Sequence, residues 1–151
     1  MIRVQREDFD VGAELDRLAA GNRRIGGVAS FIGVVRDMGG VDRISALTLE
    51  HYPGMTEKKL AEIETEAHRR WPLEAVLIIH RYGRLDPGDR IVLVAIASAH
   101  REAALAACHF LIDWLKTDAP FWKSEETSSG ARWVEERAED DAAKRRWGSP
   151  G

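Results

Sequence analysis

The chain has 151 residues, one cysteine, 22 basic and 25 acidic side chains, and a formal net charge of −3. This length suits a single domain with its own core. The charge balance argues against bulk binding to nucleic acid or anionic membranes, and a lone cysteine excludes an internal disulfide, a CxxC redox pair and a multi-cysteine zinc site.

Ile2–Gln5 reads as a short strand. Residues 11–20 read as a helix with Leu15 and Leu18 on one face, ended by Gly21-Asn22. Residues 28–35 are a β-rich run that stops at Arg36, where Asp37-Met38-Gly39-Gly40 has the composition of a flexible loop. Ile44–His51 alternates and predicts a strand antiparallel to residues 28–35. Thr56 is placed to cap a helix over residues 58–71, with Leu60, Ile63, Ala67 and Trp71 in one stripe and Pro72 as its stop. Residues 75–82 and 90–99 read as a hairpin around the turn Leu85-Asp86-Pro87-Gly88-Asp89.

His100-Arg101-Glu102 opens the last long helix, whose apolar stripe is Leu105, Cys108, Leu111, Ile112 and Leu115. It ends near Pro120, and residues 121–126 and 131–135 read as a final hairpin. The charged tail, residues 139–146, reads as mobile or helical, and residues 148–151 as disordered, so the domain spans 1–147. The order β-α-β-β-α-β-β-α-β-β predicts an α+β fold with an antiparallel or mixed sheet. No run approaches the ~20 apolar residues of a membrane helix, and residues 1–10 lack a signal peptide's apolar stretch, so a cytoplasmic location is expected.

There is no GxGxxG, P-loop, HExxH or GxSxG pattern. The histidines, at 51, 68, 80, 100 and 109, are scattered, so no metal is expected. Polar residues do stand where elements end: Arg36 after a strand, His100 and Arg101 at a helix start, Lys116 at a helix end and Lys123 after Phe121-Trp122. A helix N-terminus offers unpaired N–H groups and positive potential, which suits an anion rather than a cation, so Arg101 makes sense as a further donor to a bound anion. If the five cationic positions converge, the pocket suits a phosphate or carboxylate, and a lysine crowded by cations becomes a usable acid or base.

Each residue taken alone has an ordinary explanation. Arg36 suits a solvated loop, His100 a cap, Lys116 a helix dipole and Lys123 a hairpin. Glu50 and His51 suit a solvent-facing strand pair, Cys108 a small core residue, and Trp122 and Trp133 core or interface aromatics. A non-catalytic anion-binding or regulatory module would use the same pocket. An RNA-binding domain is disfavoured by the acidic balance and by the lack of basic–aromatic clustering.

The motifs FIGVVR at 31–36, LEHYPGM at 49–55, HR at 80–81, SAHR at 98–101 and LKTDAPFWK at 115–123 resemble the large, catalytic subunits of molybdopterin synthase, and AAKRRW at 142–147 extends the likeness. The resemblance implies an α+β fold, an α/β hammerhead with an additional antiparallel sheet, and a homodimer. It implies that each copy binds a small ubiquitin-like sulfur-carrier subunit, making a heterotetramer, with the carrier's Gly-Gly thiocarboxylate threaded into a pocket. The implied reaction transfers two sulfurs to cyclic pyranopterin monophosphate to build the dithiolene of the molybdenum cofactor's pterin, with no cofactor. Lys116 and Lys123 match the family's essential lysines. Arg36, His100 and Arg101 match residues binding the substrate's phosphate and pterin, with Val34, Val35, Ser124 and Glu125 bordering the site. Some members carry a lysine at the position of Val34, so backbone contacts are expected there. Cys108, on a core stripe, is expected to carry no sulfur, which then has to arrive on the partner's tail.

Overall fold

The computed structural model describes residues 1–37, 44–127, 130–134, 143 and 145–148. Its elements are β1 (Ile2–Gln5), α1 (Val11–Ala19), β2 (Gly27–Val34), β3 (Ile44–His51), α2 (Met55–Arg70), β4 (Leu73–Arg81), β5 (Gly83–Leu85), β6 (Arg90–Ser98), α3 (Arg101–Thr117), β7 (Phe121–Thr127) and β8 (Gly130–Val134). They make an α+β fold with two four-stranded sheets, ordered β1-β4-β6-β2 and β5-β3-β7-β8.

β6 is the spine of the main sheet. Val92 through Ala97 are all buried, as expected of a strand covered on both faces. It pairs antiparallel with β4 on one side and β2 on the other, while β1 pairs parallel with β4. α2 and α3 cover one face through Ile63, Ala67, Ile78, Val94, Ile96, Phe110 and Leu111. α1 covers the other, with Val11, Leu15 and Leu18 against Phe9, Leu77, Ile79, Leu93 and Ala95.

The expected pairing of β3 with residues 28–35 does not form. β2 spends its ladder on β6, and β3 instead centres the second sheet between β5 and β7. Alternation identifies a half-buried strand but not its neighbour. Leu47 and Leu49 of β3 reach the main sheet by packing with Val35 and Leu85, flanked by Tyr82 and Ile91. The hairpin of β4 and β6 is present but interrupted: Gly83, at φ 93°, turns the chain out of the main sheet. The short β5 then joins β3 before the Asp86–Asp89 turn returns the chain to β6.

Two helix readings also change. α2 begins at Gly54, whose φ of 86° suits glycine and whose N–H donates to Glu57 Oε2 at 2.6 Å. Thr56 lies inside the helix, buried, its hydroxyl donating to the Tyr52 carbonyl at 2.8 Å. On α3 the buried face is Ala103, Ala104, Ala107, Cys108, Phe110, Leu111, Asp113 and Trp114, whereas Leu105 is 60% exposed. Three alanines set the face because small side chains let the helix lie close to the sheet.

The final hairpin forms as β7 and β8. The loop at Met38-Gly39-Gly40 and residues 139–142, 144 and 149–151 of the tail lie outside the described residues, while Ala143 and Arg145 are helical. Trp147 packs edge-on against Trp71 and Phe110, donates to Asp113 Oδ2 at 2.5 Å and accepts from Arg70 at its carbonyl at 2.8 Å. Among the described residues no helix is long and apolar enough to cross a membrane.

The start of β2 is tied to the chain entering α3. Gly26 donates to the Ser98 carbonyl at 2.9 Å, and a Cβ on Gly26 would sit 2.1 Å from the Ala99 carbonyl oxygen. Gly26→Ala is expected to lose about 1–3 kcal/mol by overpacking. Urea unfolding checks this, and an unchanged midpoint would contradict the close approach.

Candidate active site

Antiparallel register places the ends of the main sheet. Gly27 lies opposite Ser98 and Val34 opposite Arg90, so β2 delivers Arg36 to the end where β6 begins. His80 lies opposite Val92, close to that same end. α3 starts at the far end and runs back along the sheet. It rises about 1.5 Å per residue, so the 15 steps from Arg101 to Lys116 span roughly 22 Å. Lys116 therefore returns toward the Arg36 end, exposed in the last turn of α3. The chain then turns, with Asp118 N–H donating to the Trp114 carbonyl at 2.8 Å and Phe121 N–H to the Ala119 carbonyl at 2.8 Å. β7 follows and places Lys123, half-buried, opposite Leu49.

His80 is where these elements meet. Only 8% exposed, it is held by its Nδ1, which donates to the Arg81 carbonyl at 2.8 Å. Its ring stacks on Phe121 with centroids 3.7 Å apart and planes 16° apart. Burial pushes its pKa down to about 4, and the positive charges of Lys116 and Lys123 push in the same direction, against the Arg81 hydrogen bond. The imidazole is thus neutral, with two lysines near enough to feel it. The neighbouring guanidinium of Arg81 is used for structure, donating to the carbonyls of Arg6 and Arg90 at 2.9 Å each.

His51 does not face solvent as a plain strand pair. It is half-buried, with its ring 4.5 Å from Tyr82 and its Nδ1 3.0 Å from Thr56 Oγ1. Trp122, on the opposite face of β7 from Lys123, packs on Tyr52 at 4.6 Å.

The five cationic positions do not all meet within one chain. Arg36, Lys116 and Lys123 belong to one end of the main sheet, and His100 and Arg101 to the other. The latter two are exposed at the α3 N-terminus, and His100 makes no side-chain cap bond. The flanking positions also separate. Val34 is 48% exposed, but Val35 is buried; its N–H donates to the Asp89 carbonyl at 2.9 Å and its carbonyl accepts from Gly88 at 2.8 Å. The Asp86–Asp89 turn thus occupies both backbone groups of Val35, the residue after the one expected to offer backbone contacts. Ser124 lies opposite Thr48 on the face of β7 away from Lys123, and Glu125 is placed by register alone, opposite Leu47.

Cys108 is buried in the main core, and burial raises its thiol to about 11, which keeps it protonated and unreactive at neutral pH. Among the described residues no group of three His, Cys, Asp or Glu side chains is placed to hold a metal ion. His80 was given no role on sequence grounds. The signal was present in Leu77-Ile78-Ile79-His80, an apolar run ending in a polar ring at the sheet end that carries Arg36.

Fold and site together define an α+β protein that sets cationic side chains at the ends of rigid elements. The family model described as MoaE protein matches residues 4–118. The molybdopterin synthase catalytic subunit of Ralstonia nicotianae is 58% identical over 147 residues, covering 97% of this chain and 84% of that protein. That of Pseudomonas aeruginosa is 56% identical over 146 residues, covering 97% of each. The solved structure of the MoaE protein from Burkholderia ambifaria is 54% identical with a TM-score of 0.85, covering 99% of this chain and 98% of that one. The chain belongs to the MoaE family.

The His80 pKa gives acid stability a defined sign. Between its ordinary 6.5 and about 4 the unfolded chain binds a proton that the folded chain does not. The stabilising contribution is full above pH 6.5 and is lost as pH falls toward 4, by up to roughly 3 kcal/mol. His80→Phe is expected to flatten that part of a stability–pH curve; an unchanged slope would mean that His80 is not buried neutral.

Proposed function

We propose that the chain is the catalytic subunit of a cytoplasmic molybdopterin synthase. In this reading it transfers two sulfurs from the thiocarboxylated Gly-Gly end of a small ubiquitin-like carrier to cyclic pyranopterin monophosphate. The observation that supports it is a neutral, buried His80, stacked on Phe121, that feels the charges of both Lys116 and Lys123. Both reactants are anionic, one a thiocarboxylate and the other a cyclic phosphate, so cations are needed twice. Lys116 holds the thiocarboxylate carbonyl or exchanges a proton as sulfur attacks the pterin side chain. Lys123 and Arg101 stabilise the charge that develops as the cyclic phosphate opens. Cys108, protonated and buried, is a poor sulfur carrier, which leaves that role to the partner's tail.

A homodimer resolves the separation of the cations. β2 is an edge strand of the main sheet, and its alternate residues Val28, Ile32 and Val34 are 41%, 36% and 48% exposed on the face that α1 leaves open. An exposed apolar edge of this kind suits burial against another chain. A two-fold axis through the middle of β2 sets the Gly27 end of one copy beside the Val34 end of the other. His100 and Arg101 of each copy then complete the lysine site of its mate.

With pre-thiocarboxylated carrier and cyclic pyranopterin monophosphate, the wild type is expected to form dithiolene product. Lys116→Ala is expected to lose at least about 100-fold, the scale of a positioned acid–base group. Turnover near wild type would remove Lys116 from catalysis, and tight anion binding without any turnover by the wild type would favour the regulatory-module reading. Arg101→Ala and Lys116→Ala chains refolded together are expected to regain about a quarter of wild-type activity, since half of the dimers carry one intact site. No recovery on mixing would place both residues in one copy's site.

A further inference from the structure

We propose that His80 is a positioning residue that sets Lys123 in place through its stack on Phe121. The inference rests on the sulfur-transfer reading and deepens it.

His80 is the penultimate residue of β4 in the main sheet, and Phe121 opens β7 in the second. Their near-parallel rings, 3.7 Å apart, make a contact between the two sheets at a ring that feels the charges of both lysines. Both imidazoles beside Phe121 are pinned. The Arg81 carbonyl only accepts, so Nδ1 of His80 carries the proton and donates to it. The Thr56 hydroxyl gives its proton to the Tyr52 carbonyl, so His51 donates from Nδ1 to Thr56 Oγ1 at 3.0 Å. His51 lies 5.9 Å from Phe121 on a ring tilted by 36°. Phe121 is thus gripped by one stacked ring and braced by another.

Lys123 is two residues along β7 from Phe121 and so emerges on the same face. Across the ladder, Phe121 opposes His51 and Lys123 opposes Leu49, which is fully buried. The backbone between Phe121 and Lys123 therefore has a fixed start and a fixed neighbour, and displacement of the aromatic ring moves the lysine. A displacement of about 1 Å at a reacting group costs about 100-fold in rate. A charged ring would serve poorly here: the ammonium groups of Lys116 from α3 and Lys123 from β7 act on His80, with the His51 ring of β3 beside them. A neutral imidazole provides a flat face for stacking together with its own hydrogen bond to hold that face still.

The test compares His80→Ala, His80→Phe and Phe121→Leu in the complete synthase with its thiocarboxylated carrier. His80→Ala and Phe121→Leu each remove the stack, one from either side. Both are expected to lower kcat about 30-fold or more with little change in KM, and to speed amide hydrogen exchange at residues 121–124. His80→Phe keeps a stacking ring and is expected to recover kcat to within about fivefold, with an unshifted pH–rate profile. A profile that loses a limb in His80→Phe would make His80 an acid–base group and overturn the proposal. So would wild-type kcat and unchanged exchange in Phe121→Leu, even if His80→Ala does not fold. Lys123→Ala separates the two levels. Full activity in that variant would refute the role given to Lys123, while faster exchange and faster amine labelling of Lys123 in the stack variants would still uphold the positioning.

Discussion

Burial of β6 on both faces is the constraint from which the site follows. Val92 through Ala97 have no solvent face to offer, so β4 and β2 must flank the strand and helices must cover both sides. Eight steps at about 3.3 Å make β6 roughly 26 Å long. α3, starting where β6 stops, spans roughly 22 Å between Arg101 and Lys116. Because the helix returns almost the full length of the strand it covers, its lysine, Lys116, comes back to the end where β6 began. The alanines of its buried face hold it close to the sheet, and the turn through Pro120 hands the chain directly to Lys123.

Like charges gathered in this way repel one another, and the fold answers with rigidity and local neutrality. Neither lysine is free to slide, because one ends a packed helix and the other is laddered to Leu49. The titratable group between them, His80, is held without charge by burial and by those same lysines. Burial does the same for Cys108, leaving a protonated thiol in the core. The one thiol is thereby kept from reacting, consistent with chemistry in which the sulfur arrives from outside.

Much of this was legible in the residues and some was not, for identifiable reasons. Ile2–Gln5 and Ile44–His51 form as strands with those bounds, because their alternation and flanking breaks are local signals. The partner of β3 was not legible, since alternation encodes a face and not a neighbour, and the second sheet depends on Leu47 and Leu49 meeting Val35 and Leu85 across long separations. β5 escaped notice because three residues carry no period. Leu105 misled the reading of α3, where the packed face is made by alanines too small to stand out. At the site, the residues that end elements were visible as such. Which ends coincide depends on strand register and helix length, so the sequence showed the cations but not their division into two groups. His80 was hidden for the opposite reason: a histidine near the end of an apolar strand looks like packing, and its role depends on a ring contributed by the other sheet.

That division bears directly on how a two-substrate reaction is organised. A small pterin phosphate cannot touch both ends of a helix whose charged termini lie roughly 22 Å apart, so one chain presents half a site twice rather than a whole site once. The exposed stripe of β2 lies between the two halves, on the edge strand that runs from one to the other. Antiparallel self-association along that edge, as proposed, would turn two half-sites into two whole ones while covering apolar residues that the monomer leaves in water. In the proposed dimer each completed site has two walls, the donor-rich start of α3 from one copy and the lysine-bearing end of α3 with β7 from the other. In that proposed arrangement the charge that develops as the cyclic phosphate opens meets cations from both chains, Arg101 from one and Lys123 from the other.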